Sequence, residues 1–187
     1  MKHFNSRLVK AKAITKVAKG FTLIELMVTI SVAGVLTAIA LPNLNEFLVR
    51  MRVDNEVIEI QRLLLTARNA AINSGQNAQL CPLAANNTCL NSIDWTGRIG
   101  VVSSDGLIKE KAAISTGDEL EFAFNGITYN PAGQLTNNNF GTFSYCPKGY
   151  SGHSRGVEVT LSGRSSISSD NDGDGFDKDR TGTKISC

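Results

Sequence analysis

From Phe21 to Leu41 the chain reads FTLIELMVTISVAGVLTAIAL. This run of about 21 residues would form a helix of about 31 Å, close to the ~30 Å hydrocarbon core of a bilayer. A membrane segment near one end constrains everything attached to it. Its one charge, Glu25, sits near the amino end, where insertion costs roughly 2.5–3.5 kcal/mol and calls for a partner or a function. Residues 1–20 hold Lys2, Arg7, Lys10, Lys12, Lys16 and Lys19 and no acid. By the positive-inside rule the amino end stays in the cytoplasm and all that follows Leu41 lies across the membrane. Ala38 and Ala40 would suit an ordinary secretory cleavage site, but Lys19-Gly20 directly precedes Phe21, and these flanks point elsewhere.

The run KGFTLIELM resembles the class III signal of type IV pilins and of the pseudopilins of type II secretion. The resemblance implies a leader, residues 1–20, removed by a prepilin peptidase cutting between Gly20 and Phe21. Phe21 would become the N-methylated first residue. Glu25 would take the place of the glutamate that neutralises the amino terminus of an adjacent subunit during assembly, each charge relieving the other's desolvation cost. A leader of twenty residues is long beside the short leaders common with this signal.

Residues 21–41 are thus read as the transmembrane or filament-core helix. Pro42 lacks a backbone donor and marks a kink or boundary. Over 42–74, Leu44, Leu48, Met51, Val53, Val57, Ile60, Leu64, Ala67 and Ala71 recur at three- and four-residue spacing, with Arg52, Glu56, Glu59, Arg62 and Asn69 opposite. That spacing predicts an amphipathic helix ending near Ser74, with Gly75 as its C-cap. From 75 to 187 short β-prone runs alternate with Gly, Asn, Ser and Asp clusters: Ala78–Leu80, Ile99–Val102, Glu121–Phe124, Gly141–Tyr145 and Val157–Leu161. Phe140, Phe143 and Tyr145, and Val157, Val159 and Leu161, suit an antiparallel sheet with one face on a helix. The fold class expected is α+β, a long amino-terminal helix packed on an antiparallel β-sheet head.

The runs at 63–71 (LLLTARNAA), 80–82 (LCP), 95–97 (WTG) and 161–164 (LSGR) together resemble the FimT/GspH family of minor pilins and minor pseudopilins. That resemblance implies a non-catalytic subunit near a filament tip, a small sheet wrapping the carboxyl half of the long helix, and a role in type IV pilus assembly. Two alternatives stay open: a minor pseudopilin of a type II secretion system, or a DNA-binding minor pilin of natural transformation. The partners implied are prepilin peptidase, other pilin or pseudopilin subunits and the inner membrane. The place implied is a single-pass inner-membrane protein with a periplasmic head, later part of a pilus or pseudopilus.

Cys81, Cys89, Cys146 and Cys187 all fall in the head, on the oxidising side, so disulfides are expected. Of three pairings, Cys81–Cys89 staples a short loop and Cys146–Cys187 ties the carboxyl terminus to a strand; these are favoured. The second would contribute about 4 kcal/mol by the chain-entropy argument. Residues 170–179 read DNDGDGFDKD, so Asp170, Asp172 and Asp174 match the first half of a calcium loop, with Asp177 as a further acid. Position twelve is Thr181 rather than Glu, and a solvated acidic loop is the alternative. No cofactor is required; calcium is the one the sequence offers.

Gly163-Arg164-Ser165-Ser166 matches half of the Gly-Arg-x-Arg motif by which some FimT-like pilins bind DNA. Arg164, Arg155 and Lys148, with His153, Arg180 and Lys184 nearby in sequence, are the candidate basic surface. Against it, the chain after residue 20 holds thirteen basic and seventeen acidic residues, a net of −4. His153 is the one histidine after residue 20, with no base beside a nucleophile and no phosphate-binding glycine loop, so the sequence argues against an enzyme.

Overall fold

A computed structural model describes residues 20–187; all of the leader but Gly20 lies outside them, as do the side chains of 40–43, Pro42 among them. The chain divides into two compact units, Met1–Pro42 and Asn43–Cys187, taken here separately. One helix, α1 (Leu23–Ser74), contributes to both.

In the first unit, α1 starts where Thr22 caps it: the Glu25 amide donates to Thr22 Oγ1 at 3.2 Å, and the Leu26 amide to the Thr22 carbonyl at 3.1 Å. A threonine at this position satisfies one of the donors a helix start leaves unpaired. No single described helical stretch is by itself long and apolar enough to cross a membrane. Leu23–Ile39 counted together with Leu44–Ser74 is, by length and composition.

In the second unit, α1 ends as the sequence predicts. Gly75 takes φ +68°, and its amide bonds the Ala71 carbonyl at 3.1 Å, a left-handed cap that glycine adopts without strain. The strands are β1 (Ala78–Pro82), β2 (Ile99–Ser103), β3 (Gly106–Lys111), β4 (Glu119–Glu121), β5 (Ile127–Tyr129), β6 (Gly141–Cys146), β7 (Arg155–Val159) and β8 (Ser165–Ile167). They form two antiparallel sheets, in the orders β3-β2-β1-β5 and β4-β6-β7-β8. In the first, Leu80 stands opposite both Val101 and Ile127; in the second, Val157 stands opposite both Phe143 and Ile167. Because side chains alternate along a strand, these rows face one way, and Leu80, Val101, Ile127, Phe143 and Val157 are all buried.

Both sheets share one core with α1, whose Val53, Val57, Ile60, Leu63, Leu64, Ala67 and Ala71 are at most 2% exposed. Trp95 fills the space beside the second sheet. It meets Phe143 and Phe122 edge-on at 4.9 and 5.7 Å, and its indole N–H donates to the Phe124 carbonyl at 2.9 Å. Burying an aromatic ring with its polar edge satisfied retains its whole apolar contribution.

The expectation of one sheet is therefore corrected to two. Adjacent buried residues Leu63 and Leu64 widen the helix stripe beyond one sheet's reach. The run expected at Glu121–Phe124 pairs only over Glu119–Glu121, because Phe122 leaves the ladder to stack on Phe143 at 4.0 Å. Leu44, Leu48, Met51, Phe140 and Leu161, expected in the core, are exposed. Arg52 and Glu56, expected on the solvent side, turn to the head: Arg52 Nε lies 3.2 Å from Asp118 and Glu56 lies 2.6 Å from Lys111 Nζ. Asp118 and Lys111 are themselves buried.

The two sheets meet at Gly163. It has φ +75°, and a Cβ built there would stand 2.0 Å from the Gly133 carbonyl oxygen and 3.0 Å from the Tyr129 ring. Leu135, just beyond Gly133, donates its amide to the Leu161 carbonyl at 3.2 Å. Gly163→Ala meets both a left-handed backbone and a main-chain oxygen that has to move. The expected loss is about 3 kcal/mol, read as a lower denaturant midpoint for the detergent-solubilised chain. An unchanged midpoint would contradict this packing.

Candidate functional site

The candidate assembly surface is the first unit. Leu23, Ile24, Leu26, Met27, Val28, Ile30, Val32, Val35 and Leu36 are each more than half exposed, and Phe21 is 83% exposed. The polar side chains among them are internally satisfied. Thr29, Ser31 and Thr37 donate to the carbonyls of Leu26, Met27 and Ala33 at 2.7–2.8 Å. A helix whose hydroxyls bond its own backbone offers only apolar surface to its surroundings, the state an environment without water demands. Glu25 is the exception: its carboxylate has no partner among the described residues. It occupies the third helical position after the Thr22 cap, where a negative charge also suits the helix dipole. The Thr22-x-x-Glu25 spacing carried this capping signal in the sequence, where Glu25 had been read for assembly alone.

The four cysteines are joined as Cys81–Cys89 and Cys146–Cys187. The second bond closes a carboxyl-terminal segment onto the head, with Ile185 buried.

In that segment Asp170, Asp172 and Asp174 bring carboxylate oxygens within 4.8 Å of one another, all exposed. Lys178 Nζ pairs with Asp172 and lies 2.8 Å from Asp174. The amides of Gly173 and Gly175 donate to Asp170, and with the Gly175 bond as the main cause its carboxyl is held below the usual range. Asp174 is lowered likewise, chiefly by its hydrogen bond with Lys178. Asp177 does not join the cluster. It accepts from Arg155 Nε at 2.8 Å and from Ser168 Oγ at 2.7 Å. Asp177 thus stands apart from the three carboxylates that lie together. A calcium ion takes six to eight oxygens; here the three carboxylates lie together and the Lys178 ammonium group sits against two of them.

Of the candidate nucleic-acid residues, Arg164 is set apart from Arg155 and Lys148. Arg155 begins β7 and is held by Asp54 of α1 and by Asp177. Arg164 follows the turn beyond the other end of β7, whose five residues put the two roughly 16 Å apart at the strand rise. Lys148 follows β6, whose Tyr145 is the register partner of Arg155, so it lies at the Arg155 end. Gly163, the matching glycine of the half-motif, is accounted for by its contact with Gly133.

Sequence reasoning missed a buried polar group where α1 meets the head. Asp118, whose side chain is 1% exposed, accepts from the Tyr145 hydroxyl, from the Lys148 amide at 2.9 Å, and pairs with Arg52. Burial, then the hydrogen bond and charge of Asp118, push the Tyr145 phenol well above its ordinary value. Burial, partly offset by the Arg68 charge, pushes Tyr129 up to about 12, and its hydroxyl has no hydrogen-bond partner among the described residues. The isolated sequence gave no sign of either tyrosine beyond its apolar spacing.

A long helix with an exposed apolar start, packed by its later turns under antiparallel sheets, defines a pilin-like fold. The structure is similar to the type IV minor pilin FimU of Pseudomonas aeruginosa, with a TM-score of 0.53 and 16% identity, covering 64% of this chain and 90% of that one. The family described as Type II transport protein GspH matches residues 56–163, and the prokaryotic N-terminal methylation motif matches 15–41. The chain belongs to the GspH family. A fimbrial protein of Pseudomonas aeruginosa is 40% identical over 57 residues, 30% of this chain and 37% of that protein's length. A probable minor fimbrial protein of Dichelobacter nodosus is 28% identical over 111 residues, 57% of this chain and 70% of its own length.

The two raised tyrosines set the alkaline stability of the head. A phenol whose folded pKa exceeds its unfolded value of about 10 contributes stability that is whole below that pH and is lost as pH rises through the folded value. Tyr129→Phe should cost little at neutral pH and flatten the loss above about pH 10. Tyr145→Phe should cost about 2 kcal/mol at neutral pH by removing one of the partners of the buried Asp118. Denaturant midpoints measured across that range check both, and equal slopes for all three proteins would refute the assignment.

Proposed function

We propose that the chain is a minor pilin that takes part in type IV pilus assembly as a structural, non-catalytic subunit. The observation that carries this is the segment Leu23–Ile39: apolar on all sides, internally satisfied in its hydroxyls, and bearing one charge, Glu25. Such a surface is costly in water, and bundling with like helices covers it. Prepilin peptidase cuts after Gly20 and Phe21 becomes the N-methylated first residue, consistent with the methylation motif over 15–41. The new amino terminus of one subunit then pairs with Glu25 of the next. Before assembly the protein is anchored in the inner membrane with its head in the periplasm.

The family description favours one second reading, a minor pseudopilin of a type II secretion system. The two separate by fraction: the pilin is recovered with sheared surface filaments, and the pseudopilin's loss stops secretion while leaving pili intact. Nucleic-acid capture is the weaker reading, since Arg155 is neutralised by two carboxylates and Arg164 stands apart from it.

Glu25→Ala should leave cleavage after Gly20 intact and lower recovery in the filament fraction at least about tenfold, the scale of one lost charge pair in low dielectric. Mass spectrometry of the amino terminus and blotting of sheared filaments read the two effects. Normal incorporation of this variant would overturn the charge-pair mechanism.

A further inference from the structure

Three loops of the second unit enclose a surface cavity of about 590 Å³: the one that follows the Cys81–Cys89 staple, the one that follows β4, and the one that leads into β6. They are fastened to one another and to the core. Asn125 Nδ2 donates to Asn91 Oδ1, and Asn139 Nδ2 to the Gly126 carbonyl at 2.9 Å. The Leu90 amide bonds the Pro82 carbonyl at 2.8 Å, and the Trp95 indole holds the Phe124 carbonyl. Each of the three carboxamides is thereby only half used. Asn91 Nδ2, Asn125 Oδ1 and Asn139 Oδ1 have no hydrogen-bond partner among the described residues, and the Ser92 hydroxyl accepts from the Asp94 amide without donating. Because a carboxamide carries both donors and an acceptor, the cavity offers both kinds of group from positions already fixed by the fold. Its apolar wall is Ile93 and Phe124. Ile93 is 68% exposed, more than any other large apolar side chain described in the second unit. No charged side chain lines this cavity.

We propose that this cavity binds an uncharged saccharide. A sugar ring presents C–H groups on its faces and, around its rim, hydroxyls that each donate and accept. Apolar Ile93 and Phe124 suit the face, and the unspent groups of Asn91, Ser92, Asn125 and Asn139 suit the rim. A neighbouring cavity of about 410 Å³ shares Ile93 and adds the Thr142 and Ser144 hydroxyls and the Glu121 carboxylate, so the surface continues past a single ring. Charge selects the class of ligand. Neither cavity is lined by a cation and one is lined by a carboxylate, so a phosphate backbone or an acidic sugar finds nothing to neutralise it. A peptide strand would present its donors and acceptors in a row, whereas the open groups here are side-chain amides spread over three loops. Binding of this kind is independent of filament assembly and adds a ligand to the subunit.

The test uses the full-length chain in an amine-oxide detergent, whose headgroup is not a sugar. Maltotriose and tri-N-acetylglucosamine are the neutral probes, sialyllactose is the acidic one, and a capped uncharged tripeptide stands for the peptide alternative. Saturation-transfer NMR should detect at least one neutral trisaccharide at about millimolar concentration, and neither sialyllactose nor the tripeptide. Trp95 is the one tryptophan of the chain and its indole holds Phe124, so its emission should shift as the sugar saturates. Ile93→Asp should weaken the binding at least about tenfold, and Ile108→Asp, on β3, should not. Both isoleucines are exposed, so both variants should keep the denaturant midpoint of the parent chain, and Ile93→Ala should weaken binding in the same direction without adding a charge. Silence of both neutral sugars, an equal response to sialyllactose, stronger binding of the tripeptide, or undiminished binding by Ile93→Asp would overturn the proposal and leave the minor-pilin reading in place.

Discussion

Burial of one stripe of α1 under two sheets is the constraint on which the second unit depends. Val53, Val57, Ile60, Leu63, Leu64, Ala67 and Ala71 cannot be covered by one short sheet, since Leu63 and Leu64 project about 100° apart around the helix. Two four-stranded sheets meet that width, and the aromatic group of Trp95, Phe122 and Phe143 fills the space beside the second. The ion pairs at the edge of the stripe act differently. Taking Glu56 and Lys111, or Arg52 and Asp118, out of water consumes most of the attraction between them. What such pairs supply is rotational specificity: a helix turned by one residue would leave buried Lys111 and Asp118 without counter-charges. The rotation that they fix also decides which residues remain outside, and so places Leu44, Met51, Ile58, Leu65 and Ile72 on the free face.

The parts of this architecture that were legible in the sequence are those where a local signal and the tertiary outcome agree. The apolar run after Gly20, the helix to Ser74 and the Gly75 cap each follow from spacing or from a single permissive residue. Strands β1, β2, β6 and β7 were found because they carry Leu, Val, Ile, Phe and Tyr on the buried face. Strands β3, β5 and β8 were not. GLIKEK is an edge strand whose charges read as loop, and ITY and SSI are too short for alternation to register. The mistakes on α1 share one cause. Periodicity locates an apolar face but does not say whether head or solvent lies against it, so Leu44, Leu48 and Met51 were assigned to the core along with residues that belong there. Arg52 and Glu56 failed in the opposite sense, because long side chains at the border of a stripe can reach inward to a buried partner.

The carboxyl-terminal segment shows how a motif can be present in letters and occupied by other work. Residues 164–187 lie beyond the region matched by the GspH family, and they are tied down from several directions. Cys187 bonds Cys146, Asp177 holds Arg155, Arg155 in turn holds Asp54 on α1, and Lys184 lies over the Phe176 ring. Asp177 is therefore part of a chain of charges that reaches the helix, while Lys178 supplies the acidic loop with its own cation. The half-motif at Gly163 follows the same logic. Its glycine is required because the Gly133 carbonyl leaves no room for a side chain, a demand of sheet-to-sheet packing that holds whatever the loop binds. Its arginine is the exposed residue that follows this turn, and no contact of the fold requires it. A resemblance in two adjacent residues thus divides into a structural half, which the fold explains completely, and an exposed cation with no second arginine beside it. The weight of the functional argument consequently falls on the first unit, where the apolar surface and Glu25 have no comparable explanation in the packing of the chain itself.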